Sequence, residues 1–168
     1  MIAMDRAENA ANQWARERPE IDTEAMVLLG RLAEAALVIS RDRLNPLFAQ
    51  FDLQPGEFDL LATLRRSGQP YALTPTDLYE AAMISPGSMT NRIDRLEKVG
   101  FVTRKPNPAD KRGTLVALTK QGLALIDRVI DAHVTNQQAI VNGLTAREQS
   151  QLSALLAKLL KGQEAPET

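Results

Sequence analysis

Apolar residues recur at helical spacing along most of this chain, and only one short region reads as strand. After the break at "RPEID", Asp22 or Thr23 is placed to cap a long helix whose apolar stripe is Met26, Leu29, Leu32, Ala36 and Ile39. Pro46 is expected to kink or end it. In "LQPGEFDLLATLRRSG", Pro55 lies in the first turn and Gly68 follows the last, bracketing a helix with Phe58, Leu60, Leu61 and Leu64. Thr74 as cap, Pro75 at the first helical position and Asp77 three residues after the cap predict a short helix. A tight turn, "SPG", then launches a further helix, from about Ser85 to Val99, which Gly100 stops.

Two β-prone runs follow, "FVTRKP" and "GTLVALT", joined by the turn-rich "NPADKR", and together they predict a hairpin with an exposed basic tip. A long helix is expected from Thr119 to about Asn142, with Leu123, Ile126, Ile130, Val134 and Val141 near one face. Thr145 and Glu148 form a T-x-x-E capping box for a last helix carrying Leu152, Leu155, Leu156 and Leu159. The tail "GQEAPET" lacks apolar residues that could anchor it and is expected to be disordered.

A short helix, a tight turn, a second helix and a basic hairpin occur in the order of a winged helix-turn-helix. In the second helix Met89, Ile93 and Leu96 share an inward face. Ser88, Asn91, Arg92 and Arg95 share another, which is short, polar and basic. Such a face suits DNA reading, because long cations reach phosphates or guanine edges while amide and hydroxyl side chains approach base edges in the major groove. The N-terminal backbone amides of the same helix favour a phosphate. The candidate DNA-binding residues are Ser85, Ser88, Thr90, Asn91, Arg92 and Arg95, with Lys111 and Arg112 at the hairpin tip.

Charge sharpens this reading. The 168 residues carry a formal net charge of −1, yet Ser85 to Arg112 holds seven basic and three acidic residues, a local +4 against −5 for the remainder. The basic charge is therefore concentrated where DNA would be met. There are no cysteines, which excludes disulfides and thiolate metal sites. No apolar run approaches the roughly 20 residues of a membrane span, and the N-terminus lacks the apolar centre of a signal peptide, so a cytoplasmic protein is expected. An enzyme finds little support: the single histidine, His133, lies on the apolar stripe of a long helix, and Gly-rich phosphate loops are absent from the sequence. No cofactor is called for.

The segment "LTPTDLYEAAMISPGSMTNRIDRLEKVGFVTRKPNPADKRGTLVALTKQG" resembles the DNA-binding core of the MarR family of bacterial transcription regulators, including the wing pattern "NPADKRG". That resemblance implies a mainly α fold: a winged helix-turn-helix with N- and C-terminal dimerisation helices and a small β-hairpin wing. It divides the chain into an N-terminal extra helix at 1–22, the winged-helix domain with its dimerisation helices at 23–160 (DNA-binding core about 55–118), and a tail at 161–168. It further implies a homodimer that places two recognition helices about one DNA turn, ~34 Å, apart on a pseudo-palindromic operator.

"NQWARERPEID", "EFDLLATLRRSG" and "FVTRK" resemble the urate-responsive, PecS-like subgroup of that family. The resemblance maps a purine-binding set onto Trp14, Asp59, Arg66 and Arg104. Read without it, Trp14 is a hydrophobic anchor that docks an extra helix, and Asp59, Thr63 and Arg66 are the solvated polar side of their helix. The resemblance implies a repressor released from its operator by urate or a similar aromatic anion; since Asp59 would repel such an anion unless engaged elsewhere, ligand entry is expected to disturb an Asp59–Arg104 charge pair and shift the recognition helix. A regulator sensing a phenolic or other aromatic carboxylate, and a winged-helix module that binds protein instead of DNA, are the alternatives.

Overall fold

The computed structural model describes residues 5–82 and 89–163, with 111 and 112 described by backbone alone. Helix α1 (Arg6–Glu17) begins at Asp5, whose carboxylate accepts from the Glu8 amide at 2.9 Å. The same carboxylate accepts from the Arg31 Nε at 2.6 Å, which latches α1 onto α2 (Glu24–Ile39). Of the two candidate caps for α2, it is Asp22 that accepts from the Glu24 amide, at 2.9 Å.

Pro46 neither kinks α2 nor simply ends it. A π-helical turn at Ser40–Leu44 leads into α3 (Asn45–Ala49), with Pro46 in the first turn of α3. Proline has no N–H to give to a carbonyl four residues back, so the chain widens just before it and restarts with the proline in a first turn, where no donor is needed.

Helix α4 (Glu57–Arg66), strand β1 (Ala72–Leu73), helix α5 (Pro75–Ala81), helix α6 (Met89–Lys98), and strands β2 (Val102–Asn107) and β3 (Asp110–Leu118) form the winged core. The sheet is antiparallel in the order β1-β3-β2, with Val102 opposite Leu118 and Arg104 opposite Val116. The two expected hairpin strands are present. The third, β1, is a two-residue addition too short to show any periodicity. Helices α7 (Lys120–Val141) and α8 (Ala146–Lys161) complete the chain. Most of the expected tail, residues 164–168, lies outside the described residues.

The caps read from the sequence are formed. Thr74 accepts from the Asp77 amide at 3.1 Å, and Thr145 and Glu148 make a reciprocal capping box; the structure adds a cap at Thr119, which accepts from the Gly122 amide at 3.0 Å. Gly122 is required by close approach: a Cβ there would stand 1.9 Å from the Phe101 carbonyl oxygen, so α7 starts packed directly on the base of the wing.

The core gathers Leu60, Leu61 and Leu64 of α4, Leu78 of α5, Ile93 and Leu96 of α6, Val102 and Val116 of the wing, and Ile126 and Val129 of α7. In α7 the fully enclosed stripe runs through Leu125, Ile126, Val129 and His133, whereas Val134 and Val141 of the expected face are exposed in the single chain.

Candidate nucleic-acid interface and effector residues

Helix α6 is seated by Met89, Ile93 and Leu96, all buried, as the spacing required. Its opposite side presents Thr90, Asn91, Asp94 and Lys98 to solvent. Thr90 and Asn91 occupy the first described turn, where short hydroxyl and amide side chains are suited to base edges. Ser85 and Ser88 lie outside the described residues. Lys111 and Arg112 occupy β3 immediately after the turn at the wing tip, where Asn107 accepts from the Ala109 amide at 3.0 Å.

Arg92 and Arg95 depart from expectation. Neither guanidinium stands out on the exposed face with Asn91; both turn toward the loop before α4. Arg95 donates from Nη1 to the Glu57 carboxylate and from Nη2 to the Asp52 carbonyl at 3.1 Å. Glu57 is completely buried, and its second donor is the Gln54 amide at 2.7 Å. Arg92 lies against Gly56, where a Cβ would be 2.5 Å from the guanidinium carbon; Gly56 has φ +81°, so a glycine suits both the backbone and the close approach. The physical reason is angular. Arg92 and Arg95 flank the apolar stripe of α6, and a long side chain there folds its aliphatic stem over neighbouring apolar surface and seeks an anion at the protein margin. Glu57 supplies that anion, and it was overlooked in the sequence. Its signal was available: it stands three, four and seven residues before Leu60, Leu61 and Leu64, so it is an acid placed on an apolar helical stripe.

On the other flank of α6, Arg104 of β2 donates from Nη2 to Asp94 and from Nη1 to Glu97, while its backbone amide donates to Glu97 at 2.9 Å. Pairing with Asp94, then with Glu97, raises its pKa above the ordinary arginine value. The expected Asp59–Arg104 pair is thus replaced by a clamp between the wing and the recognition helix.

Asp59 is half-buried on α4. Burial raises its pKa, and His133, Arg66 and Arg92 act in the opposite direction, so charges from α7, α4 and α6 are all felt at one carboxylate. The presumed solvated side of α4 is not solvated throughout: Thr63 is buried and donates to the Asp59 carbonyl at 2.7 Å. Arg66 donates from Nη2 to the Ala81 carbonyl at the end of α5. His133 packs against Phe58 and Phe48 with ring centroids 4.4 and 5.5 Å away, and burial lowers its pKa while Asp59 raises it. Trp14, on α1, is 45% exposed. The structure therefore brings Asp59 and Arg66 together electrostatically; no described hydrogen bond, ion pair or ring contact joins Trp14 or Arg104 to them. Among the described residues no group of three or more acidic or histidine side chains is arranged to hold a metal ion, and no helix is long and apolar enough to cross a membrane.

Residues 53–114 match the MarR family. The chain is 42% identical over 149 residues to the HTH-type transcriptional regulator PecS of Dickeya dadantii, covering 89% of each protein. Among solved structures it is similar to the MarR family regulator Sco3205 of Streptomyces coelicolor in complex with DNA, at a TM-score of 0.76 and 26% identity over 88% of this chain and 92% of that one. It is also similar to a mutant Escherichia coli MarR complexed with operator DNA, at a TM-score of 0.68 and 31% identity over 88% and 97%. These relatives are transcription regulators and not enzymes. With the winged helix-turn-helix in place, its recognition helix seated on the core and its wing clamped alongside, the chain belongs to the MarR family and is a DNA-binding transcription regulator.

Proposed function

We propose that the chain works as a homodimeric repressor whose hold on a pseudo-palindromic operator is weakened by a small anionic aromatic ligand such as urate. The observation that carries the effector reading is the position of Asp59, a half-buried carboxylate on α4 within electrostatic reach of both Arg66 and Arg92, the latter on the recognition helix. A ligand that changes the charge balance there is felt where DNA is read. Arg66 supplies a cation for an anionic oxygen, and the exposed Trp14 indole supplies a flat face for a heterocycle. Arg104 enters the response through Asp94 and Glu97, by loosening the wing from α6. DNA contacts fall to Ser85, Ser88, Thr90 and Asn91 in the major groove and to Lys111 and Arg112 from the wing.

Dimerisation is supported by the apolar side chains that the single chain leaves open on α2, α7 and α8, among them Leu28, Val141, Leu155 and Leu160. Release by ligand requires that the ligand bind the DNA-incompetent geometry more tightly, by a free energy equal to the coupling. A gel shift on the DNA upstream of the chain's own gene, titrated with urate and separately with salicylate, tests the reading. Urate is expected to release the DNA, and Trp14→Ala or Arg66→Ala to blunt that release while sparing DNA binding. Unchanged operator affinity and unchanged thermal stability at saturating urate would remove urate as effector, and release by salicylate alone would assign the site to aromatic carboxylates.

A further inference from the structure

The recognition helix is strapped on both flanks, and the two straps differ in kind. The Arg104 clamp to Asp94 and Glu97 is on the surface, with carboxylates 56% and 36% exposed. The Arg95 strap ends on the Glu57 carboxylate, 1% exposed. Exposed ion pairs contribute little to fixing geometry, whereas a buried carboxylate without its cation is strongly disfavoured, so the second strap has one acceptable arrangement. It is also held from three directions. Glu57 accepts from Gln54 and from Arg95, and Arg95 donates onward to the Asp52 carbonyl, so residues 52–57 form a socket for one side chain of α6. Beside it Arg92 is pressed against Gly56 with its Nη1 buried. These two contacts sit on the same flank and fix the rotation of α6 about its own axis, which decides whether Thr90 and Asn91 meet base edges or miss them.

We propose that Glu57 and Arg95 are positioning residues for sequence discrimination: the buried pair sets the roll of the recognition helix, and Arg95 serves selectivity from inside the protein instead of through a contact with DNA. The inference rests on DNA reading by α6 and is independent of which effector the protein senses.

The test is a double-mutant cycle with Glu57→Gln and Arg95→Met in the full-length protein. The probes are a duplex selected by the wild-type protein from random DNA and a scrambled duplex of equal length, both measured at one salt concentration. The reading is the ratio of the two Kd values. Each single variant is expected to lower that ratio by about tenfold, and the double variant to lower it no further, as for two residues acting as one unit. Arg95→Lys, which keeps one charged N–H for Glu57, is expected to recover much of the ratio lost in Arg95→Met. Leu125→Ala, which weakens the core in α7 away from the strap, is expected to lower thermal stability and leave the ratio unchanged.

If Arg95 instead touches a phosphate, Arg95→Met weakens binding to both duplexes alike and reduces the salt slope by about one, while Glu57→Gln leaves the ratio at the wild-type value. That result overturns the proposal, as does a loss of discrimination in Leu125→Ala equal to that in the strap variants. Should Glu57→Gln not fold, Arg95→Met and Arg95→Lys still decide the matter: loss confined to the selected duplex and restored by lysine supports positioning, and equal loss on both duplexes contradicts it.

Discussion

The winged core and the terminal helices both carry apolar stripes, and these meet opposite fates. In α4 the residues Leu60, Leu61 and Leu64 are wholly enclosed by the same chain, and α6 and the wing close over them. In α2 and α8 no residue is buried, although Leu28, Leu29 and Leu37 of the one and Leu152, Leu155 and Leu160 of the other are as apolar as anything in the core. A helix with good caps and an apolar stripe will form, but the stripe then needs something to cover it. The core finds its cover within one chain; the terminal helices, in our proposal, find it in a second copy. The DNA-reading part, with the start of α7, thus carries its own buried core, and in our proposal the flanking helices set how many such units act together.

The contrast can be broken most severely at α8. Leu155→Asp combined with Leu160→Asp is expected to convert the dimer to monomer in sedimentation equilibrium and to weaken operator binding by about 100-fold or more, because a linked pair of half-site contacts becomes two independent ones. Were α8 an ordinary solvated helix, the same changes would stay within about 0.5 kcal/mol and leave the mass unaltered. In the core, Leu61→Ala is expected to cost about 2–5 kcal/mol in denaturant unfolding through lost burial and a residual cavity, without changing the oligomeric state of the protein that remains folded. Thr145→Ala removes half of the capping box that starts α8 and is expected to cost about 1 kcal/mol, read as a lower Tm.

A smaller effect is expected from pH. Burial lowers the pKa of His133 in the native state below its ordinary value of 6.5, with Asp59 acting in the opposite direction. The unfolded chain therefore binds a proton first as pH falls, so stability declines from about pH 6.5 downward and is restored above it. Asp59, with its pKa raised, has the opposite sign: its contribution is present at low pH and fades as pH rises through its native pKa. Urea unfolding between pH 7.5 and 5 checks the first effect, and His133→Phe, which keeps a ring beside Phe58 and Phe48, is expected to flatten the decline.

Local rules made much of the fold legible. The caps at Thr74 and Thr145 are each set by residues three positions apart, and the inward face of α6 follows from the spacing of Met89, Ile93 and Leu96. What escaped depends on distance along the chain or on competition between local options. Strand β1 exists because Ala72 and Leu73 meet Ala117 and Val116, and two residues carry no pattern of their own. The burial of Leu125 and Val129 in place of a stripe reaching Val134 reflects where α4 and the wing stop covering α7, a boundary no periodicity reveals.

At the candidate site the pairing of the arginines differs from what the spacing suggests. Arg92, Arg95 and Arg104 are all on or beside the recognition helix, but Arg95 finds Glu57 38 residues away, and Arg104 finds Asp94 and Glu97 within ten. Arginine reaches far enough to choose among several carboxylates, and that choice is made by the tertiary fold. Glu57, an acid on an apolar stripe, shows that a break in the pattern is itself a signal of such a partner.

One region reads DNA and, in our proposal, the other doubles the reading. The most direct measurement is the mass of the protein–DNA complex by sedimentation equilibrium, on a duplex selected from random DNA, alongside a duplex cut to one half-site. Two chains on the full duplex, with much weaker binding to the half-site, is the predicted result. One chain per duplex with equal affinity for both would contradict it.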